Sequence, residues 1–238
     1  MNYMTSRELK NIARDKMLGQ YGTAIGAFMF MRLALLITLG ACSSVFADHR
    51  ILMIIASTFV LLLEGIFIYG ELSIYLKISV GDRPEVMDVV SGFRTSSLKA
   101  IGARMVHLII LFGCFYAWVA VGMLTSEMDK SISDSINLMS LCVFSALGIF
   151  LMLTYSQIMY FLQDFSTISV KEACKRSREL MRGNKLSLLF ICIGFIPIYF
   201  IGVISFMVGF YFIHPYVKMT LTEFYLDRVR CGKTSENV

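Results

Sequence analysis

The sequence is short of charge: Asp, Glu, Lys and Arg make up 16% of its 238 residues, against 57% hydrophobic residues. Soluble domains average about 25% charged residues, so a water-soluble fold is not expected. Long polar stretches are missing too, and the connections between apolar runs are too short to bury a core. That leaves one membrane domain over 1–238 and no separate soluble one. The six cysteines (Cys42, Cys114, Cys142, Cys174, Cys192, Cys231) form no C-x-x-C pair and mostly lie in apolar runs. Free thiols are expected, not a metal site or a disulfide framework. No H-E-x-x-H, G-x-S-x-G, G-x-x-x-x-G-K-[ST] or G-x-G-x-x-G occurs, and His49, His107 and His214 fall on separate segments. No enzyme and no cofactor are therefore expected. A basic tract interleaved with aromatics is also lacking, which argues against nucleic acid; the net charge of +5 bears on orientation and anionic lipid.

Apolar runs are what the chain does have. A spanning helix needs about 20 apolar residues, and the qualifying runs are Tyr21 to Cys42, Ile51 to Leu76, Ala100 to Leu124, Ile136 to Leu162, Leu186 to Ser205 and Phe206 to Leu226. The expected fold is all-α, about six membrane helices in three hairpins, with the last turn between Gly202 and Gly209. Leu39-Gly40-Ala41-Cys42 resembles a lipoprotein cleavage box. Arg32 interrupts the run before it, so an ordinary helix end is expected.

Basic residues set the orientation. Arg7, Lys10, Arg14 and Lys16 precede the first run; Lys77, Arg83, Arg94, Lys99 and Arg104 surround the second connection; Lys171, Lys175, Arg176, Arg178, Arg182 and Lys185 fill the fourth. Lys218, Arg228, Arg230 and Lys233 follow, while the opposite side holds only Arg50 and Lys130 beside several acids. Both termini are expected in the cytoplasm.

Each hairpin is preceded by a helix-start signature: Thr5 before Glu8, Asp82 before Pro84 and Glu85, and Ser169 before Glu172. Three short interfacial helices are expected there. In the third, Val170, Ala173, Cys174, Ser177 and Met181 share a face opposite Lys171, Lys175, Arg178 and Arg182, an amphipathic pattern. That basic surface either binds anionic lipid or a membrane-protein partner, or is a solvated connection that sets topology. Gly22-Thr23-Ala24-Ile25-Gly26-Ala27 recurs as Leu98-Lys99-Ala100-Ile101-Gly102-Ala103, and Leu186-Ser187-Leu188-Leu189 is a weaker copy. Tyr69, Tyr155 and Tyr216 are each followed two residues later by Glu71, Gln157 and Lys218. These echoes predict three repeats, 1–79, 80–165 and 166–230, with a polar tail 231–238. The Gly22 and Gly26 step reads as internal packing.

Several residues carry a resemblance: Arg7, Leu9 and Lys10 leading to Tyr21-Gly22 and Ala24-Ile25-Gly26; Gly92-Phe93; Tyr155-Ser156; Ala173, Ser177 and Leu180-Met181-Arg182-Gly183; then Gly209, Pro215-Tyr216 and Phe224-Tyr225. Over nearly its whole length the chain resembles the bacterial integral membrane proteins grouped as domain of unknown function 975. It departs from them in having Leu147-Gly148 where Pro-Gly is common, and no tryptophan near Tyr21. The resemblance implies a bacterial cytoplasmic-membrane protein and brings no activity with it.

Ionisable groups inside membrane helices are functional candidates. Arg32 lies roughly 15 Å and Glu64 roughly 20 Å from the outer ends of their helices, so an ion pair within the first hairpin is expected, either a gate or a packing bridge. Glu71, Arg104, His107, Gln157 and Lys218 come from four different spans and form a polar vestibule or merely snorkel at helix ends. His214, before Pro215, is proton-sensitive or simply packed. Two functions follow: a non-enzymatic module binding lipid or a protein partner, or a small transporter or channel. A continuous polar lining would mark the second, and paired-off ions with a dry centre the first.

Overall fold

The computed structural model describes all residues except 1, 2, 96, 128, 166, 206, 207, 237 and 238, together with the side chains of all but 95 and 232–236 among the rest. The expected start of the sixth span at Phe206 and the tail charge of Lys233 lie outside what is described.

Every described element is helical. The short helix α1 (Ser6–Met17) starts as its sequence requires: Glu8 N–H donates to Thr5 Oγ1 at 3.4 Å, and Thr5 N–H donates to Glu8 Oε2 at 2.7 Å. The long helices α2 (Tyr21–Val45) and α3 (Arg50–Val80) form the first hairpin, and α2 runs straight through Leu39–Cys42.

The second start differs from expectation. Asp82 caps nothing; Glu85 and Asp88 form the capping box of a 3₁₀ helix, Val86–Val90, followed by α4 (Ser91–Thr95). Pro84 is the reason, since it forces Arg83 away from helical dihedrals and delays the helix past itself. Next come α5 (Ser97–Leu124) and α6 (Lys130–Tyr155), then α7 (Ile158–Asp164) in nearly the same line. The kink between them has an identifiable cause. Ser177, from α8 (Val170–Leu180), donates to the Thr154 carbonyl at 2.8 Å and accepts from Gln157 N–H at 3.3 Å, replacing the helix's own ladder. The α8 cap is half of the expected box: Ser169 accepts from Glu172 N–H, but the Glu172 carboxylate turns to Arg176 at 3.1 Å.

The fifth span is also broken, into α9 (Lys185–Ile193) and α10 (Ile196–Ile204). Lys10 explains why the break is tolerated: its ammonium takes the Gly194 carbonyl at 3.1 Å and sits 4.2 Å from the centre of the Phe195 ring. Burial lowers the pKa of this lysine. The last helix, α11 (Val208–Glu236), doubles back against α10, where Gly209 N–H donates to Ser205 Oγ at 3.0 Å.

Among the described residues, five helical stretches are long and apolar enough to cross a membrane: Tyr21–Val45, Arg50–Val80, Ser97–Leu124, Lys130–Asp164 and Lys185–Ile204. The chain is thus an all-helical membrane protein. The expected sixth span lies in α11, which has the length; His214, Lys218, Glu223, Asp227 and Arg228 keep it out of the apolar class. That helix is instead central to the core, with Met219, Phe224 and Tyr225 fully buried. It packs on α1, α2, α3 and α8. Leu36, Ile54, Ile109, Leu138 and Phe200 stay exposed on the long helices, as an apolar solvent requires.

Candidate functional site

Glycines decide which polar groups meet. A Cβ on Gly65 would stand 2.6 Å from Arg104 Cβ, so only glycine lets α5 lie this close to α3. Arg104 thereby forms an ion pair with Glu64, and its Nε donates to the Leu61 carbonyl at 3.4 Å. Arg32 Nη1 lies 3.7 Å from the other Glu64 oxygen, half exposed, with its guanidinium over the Phe28 ring. Glu64 therefore has two cations, one from each neighbouring helix, and Arg104 belongs here and not with Glu71.

Immediately after Tyr69, Gly70 does the same for the 3₁₀ helix, since a Cβ there would overlap the Val89 carbonyl. Beside it, Glu71 is 2% exposed. His214 Nε2 contacts its Oε1 at 2.8 Å, Tyr75 O–H donates to it at 3.4 Å, and Lys218 Nζ stands 3.8 Å from Oε2. The His214 ring stacks on Phe28 with centroids 3.9 Å apart.

The remaining groups of the expected vestibule are placed elsewhere. His107 Nδ1 meets the Ala103 carbonyl of its own helix at 2.9 Å. Gln157 is buried at the α6–α7 kink, where its amide nitrogen donates to Ser156 Oγ at 2.9 Å. Of the five, Glu71 and Lys218 are the two paired with each other among the described residues.

A third ionic group was missed from the sequence. Lys16 in α1 reaches Glu223 in α11 at 2.8 Å, and Ser79 in α3 donates to the same carboxylate at 2.7 Å. Glu223 showed a signal, as a buried acid within the last apolar run, but its partner is 207 residues away.

On α8, Ala173, Ser177 and Met181, which follows its last residue, are fully buried, while Lys171, Lys175, Arg178 and Arg182 are exposed. Glu172 is committed to Arg176, and none of those four cations forms an ion pair among the described residues. Lys171, Lys175 and Arg178 line a recess of about 310 Å³ together with Tyr155, Ser169, Glu172 and Cys174. Burial raises the Cys174 thiol pKa. A larger apolar cavity, about 800 Å³, lies between α5, α6 and α9. No grouping of His, Cys, Asp and Glu fit to hold a metal ion occurs among the described residues.

A family described as "Protein of unknown function (DUF975)" matches residues 1–230. No curated protein and no solved structure matches the chain.

Proposed function

The chain belongs to this DUF975 family, and from that premise we propose that it is a non-enzymatic, multi-pass membrane module that binds anionic lipid through α8. The observation that carries the reading is the α8 face: Lys171, Lys175, Arg178 and Arg182 project outward without acid partners from a helix whose other side is locked into the core. Each such cation near an anionic bilayer contributes about 1 kcal/mol. A helix already fixed by Ala173, Ser177 and Met181 loses little entropy when they bind.

The membrane arrangement belongs to the same proposal. We read α11 as the sixth span, the termini and the basic connections as cytoplasmic, and the membrane as the bacterial cell membrane. Three units, 1–79, 80–165 and 166–230, follow one another in a closed ring. Its support is that the packing recurs: the segment 86–90 lies on α3, α8 on α7, and α1 on α11. In the same sense α3 packs on α5, α6 on α9, and α11 on α2.

The transport alternative has less behind it. Glu64 and Glu71 are each neutralised by a basic residue from an adjoining helix, the arrangement of a packing bridge.

Purification in a mild detergent followed by mass spectrometry of the intact complex tests the proposal. The wild type should retain more phosphatidylglycerol per protein than the variant in which Lys171, Lys175 and Arg178 are all changed to Gln. Equal retention by both would sink it, as would a stoichiometric protein held in place of lipid. A protein that emerges alone would direct attention to solute flux in liposomes with Glu64→Gln and Glu71→Gln.

A further inference from the structure

The ring has three seams between neighbouring units, and two are filled by side chains. Where α3 meets α5, Gly65 admits Arg104 and the Glu64 pair closes the gap. Where α11 meets α2, the stacked rings of His214 and Phe28 close it. The third seam, α6 with α9, is not closed: it holds the cavity of about 800 Å³.

Its walls are hydrocarbon and sulfur, among them Cys114 and Trp118 from α5, Phe144, Gly148 and Met152 from α6, and Cys192 from α9. Water does not fill so apolar a space. The lining residues Leu111, Phe115, Ile149 and Ile193 are themselves substantially exposed on the outer surface, so the cavity opens sideways towards the bilayer. From Leu141 to Leu153 along α6 it extends roughly 18 Å at 1.5 Å per residue. One leaflet of a hydrocarbon core about 30 Å thick is comparable.

Ser145 on α6 is one polar lining residue; the others, Ser156, Gln157 and Tyr160, line the end nearest the α6–α7 kink, and Gln157 Oε1 has no hydrogen-bond partner among the described residues. Three residues before the lining residue Leu188, Lys185 reaches across from α9, its ammonium 3.6 Å from the centre of the Phe150 ring on α6, with no ion pair among the described residues.

The geometry points to this seam as the binding site for one acyl chain of an anionic phospholipid, which enters laterally from the bilayer with its phosphate at Lys185. The inference rests on the lipid-binding reading above and adds a place and a length to it. Size, apolarity and lateral opening select a hydrocarbon chain. Lys185 selects an anionic head.

Trp118 is the only tryptophan in the chain and lines this cavity, so its fluorescence reports the occupant directly. Protein in maltoside micelles is titrated with phosphatidylglycerol brominated in mid-chain. Quenching should saturate at a low lipid fraction and be reversed by unbrominated phosphatidylglycerol. Brominated phosphatidylcholine should need more lipid, and Lys185→Gln should raise the half-saturating fraction about fivefold. A side chain at Gly148 starts at ordinary contact distance, 3.6 Å from Cys114 Sγ, and Gly148→Phe should fill the cavity and abolish the saturable phase.

Quenching that rises linearly with lipid fraction and resists competition overturns the assignment. Competition on the wild type decides the matter even if Gly148→Phe does not fold. Phosphatidylglycerol retained by mass spectrometry while quenching stays linear sinks the seam and leaves the α8 reading intact. Saturable quenching together with equal phosphatidylglycerol retention by the wild type and the Lys171, Lys175, Arg178 variant does the reverse.

Discussion

At the scale of single residues, the membrane interior makes the pairing of Glu64 the most consequential electrostatic feature. Arg104 is the closer and better buried of its two cations, while Arg32 stands 3.7 Å away and half exposed. Breaking a buried pair strands a charge and costs on the order of 3 kcal/mol, whereas a partly exposed pair is worth about 1 kcal/mol or less. Arg104→Met should therefore destabilise far more than Arg32→Met in detergent unfolding experiments. A double-mutant cycle should find more coupling to Glu64 from Arg104, and equal couplings would refute the ranking. Sequence could mark Arg32 and Glu64 as intramembrane charges, because their depth follows from counting along helices. Arg104 was assigned to the wrong neighbours, since its true partner depends on the absence of a side chain at Gly65. Gly70 makes the same point more severely. Gly70→Ala would drive a methyl group into the Val89 carbonyl, backbone that cannot rotate away, so a loss of about 3 kcal/mol or failure to fold is expected. A thermal midpoint within a few degrees of wild type would show that the 3₁₀ segment is free to move.

At the scale of elements, local signals were read well and competing local signals were not. Thr5 and Ser169 start their helices because a cap side chain accepting from the N–H three residues on is enough, with the carboxylate of Glu8 closing the box at the first. Between Asp82 and Asp88 two boxes compete, and Pro84 decides for the later one. The kinks at Gln157 and Gly194 were invisible for another reason: their causes, Ser177 and Lys10, come from other helices. The later box carries a pH dependence. Burial alone would raise the Asp88 pKa, but the Lys77 ammonium at 2.8 Å and the Glu85 N–H outweigh it and hold the carboxyl below its ordinary range. A depressed acid contributes stability that is fully present above its unfolded pKa of about 4 and is lost as pH falls through the lower folded value. The wild type should lose thermal stability between about pH 5 and pH 3. Asp88→Asn should be weaker at neutral pH by about 1 kcal/mol and show less of that acid loss. Identical acid profiles would remove Asp88 from the account.

For the whole molecule, the composition alone announced a helical membrane protein, but the closure of its two ends upon each other could not be read from it. The contacts that join them are the longest in sequence: Lys16 with Glu223, and Tyr3, whose ring lies 3.9 Å from the Arg228 guanidinium. If the three units form a ring, the place where the chain is cut is arbitrary, and the junction between α11 and α1 is equivalent to that between α3 and the 3₁₀ helix. A circular permutant follows from this. A short flexible linker joins residue 230 to residue 3, and new termini open at Asp82, in a segment without regular structure. All three inter-unit contacts survive in such a chain, so it should fold to a monodisperse species with Trp118 emission like that of the wild type and a midpoint within several degrees. Cutting inside α3 at Gly65 should fail, because that break falls within a unit and separates Glu64 from Arg104. Equal failure of both would mean that the first unit depends on its native connection to the second, and the ring would be a matter of packing order only.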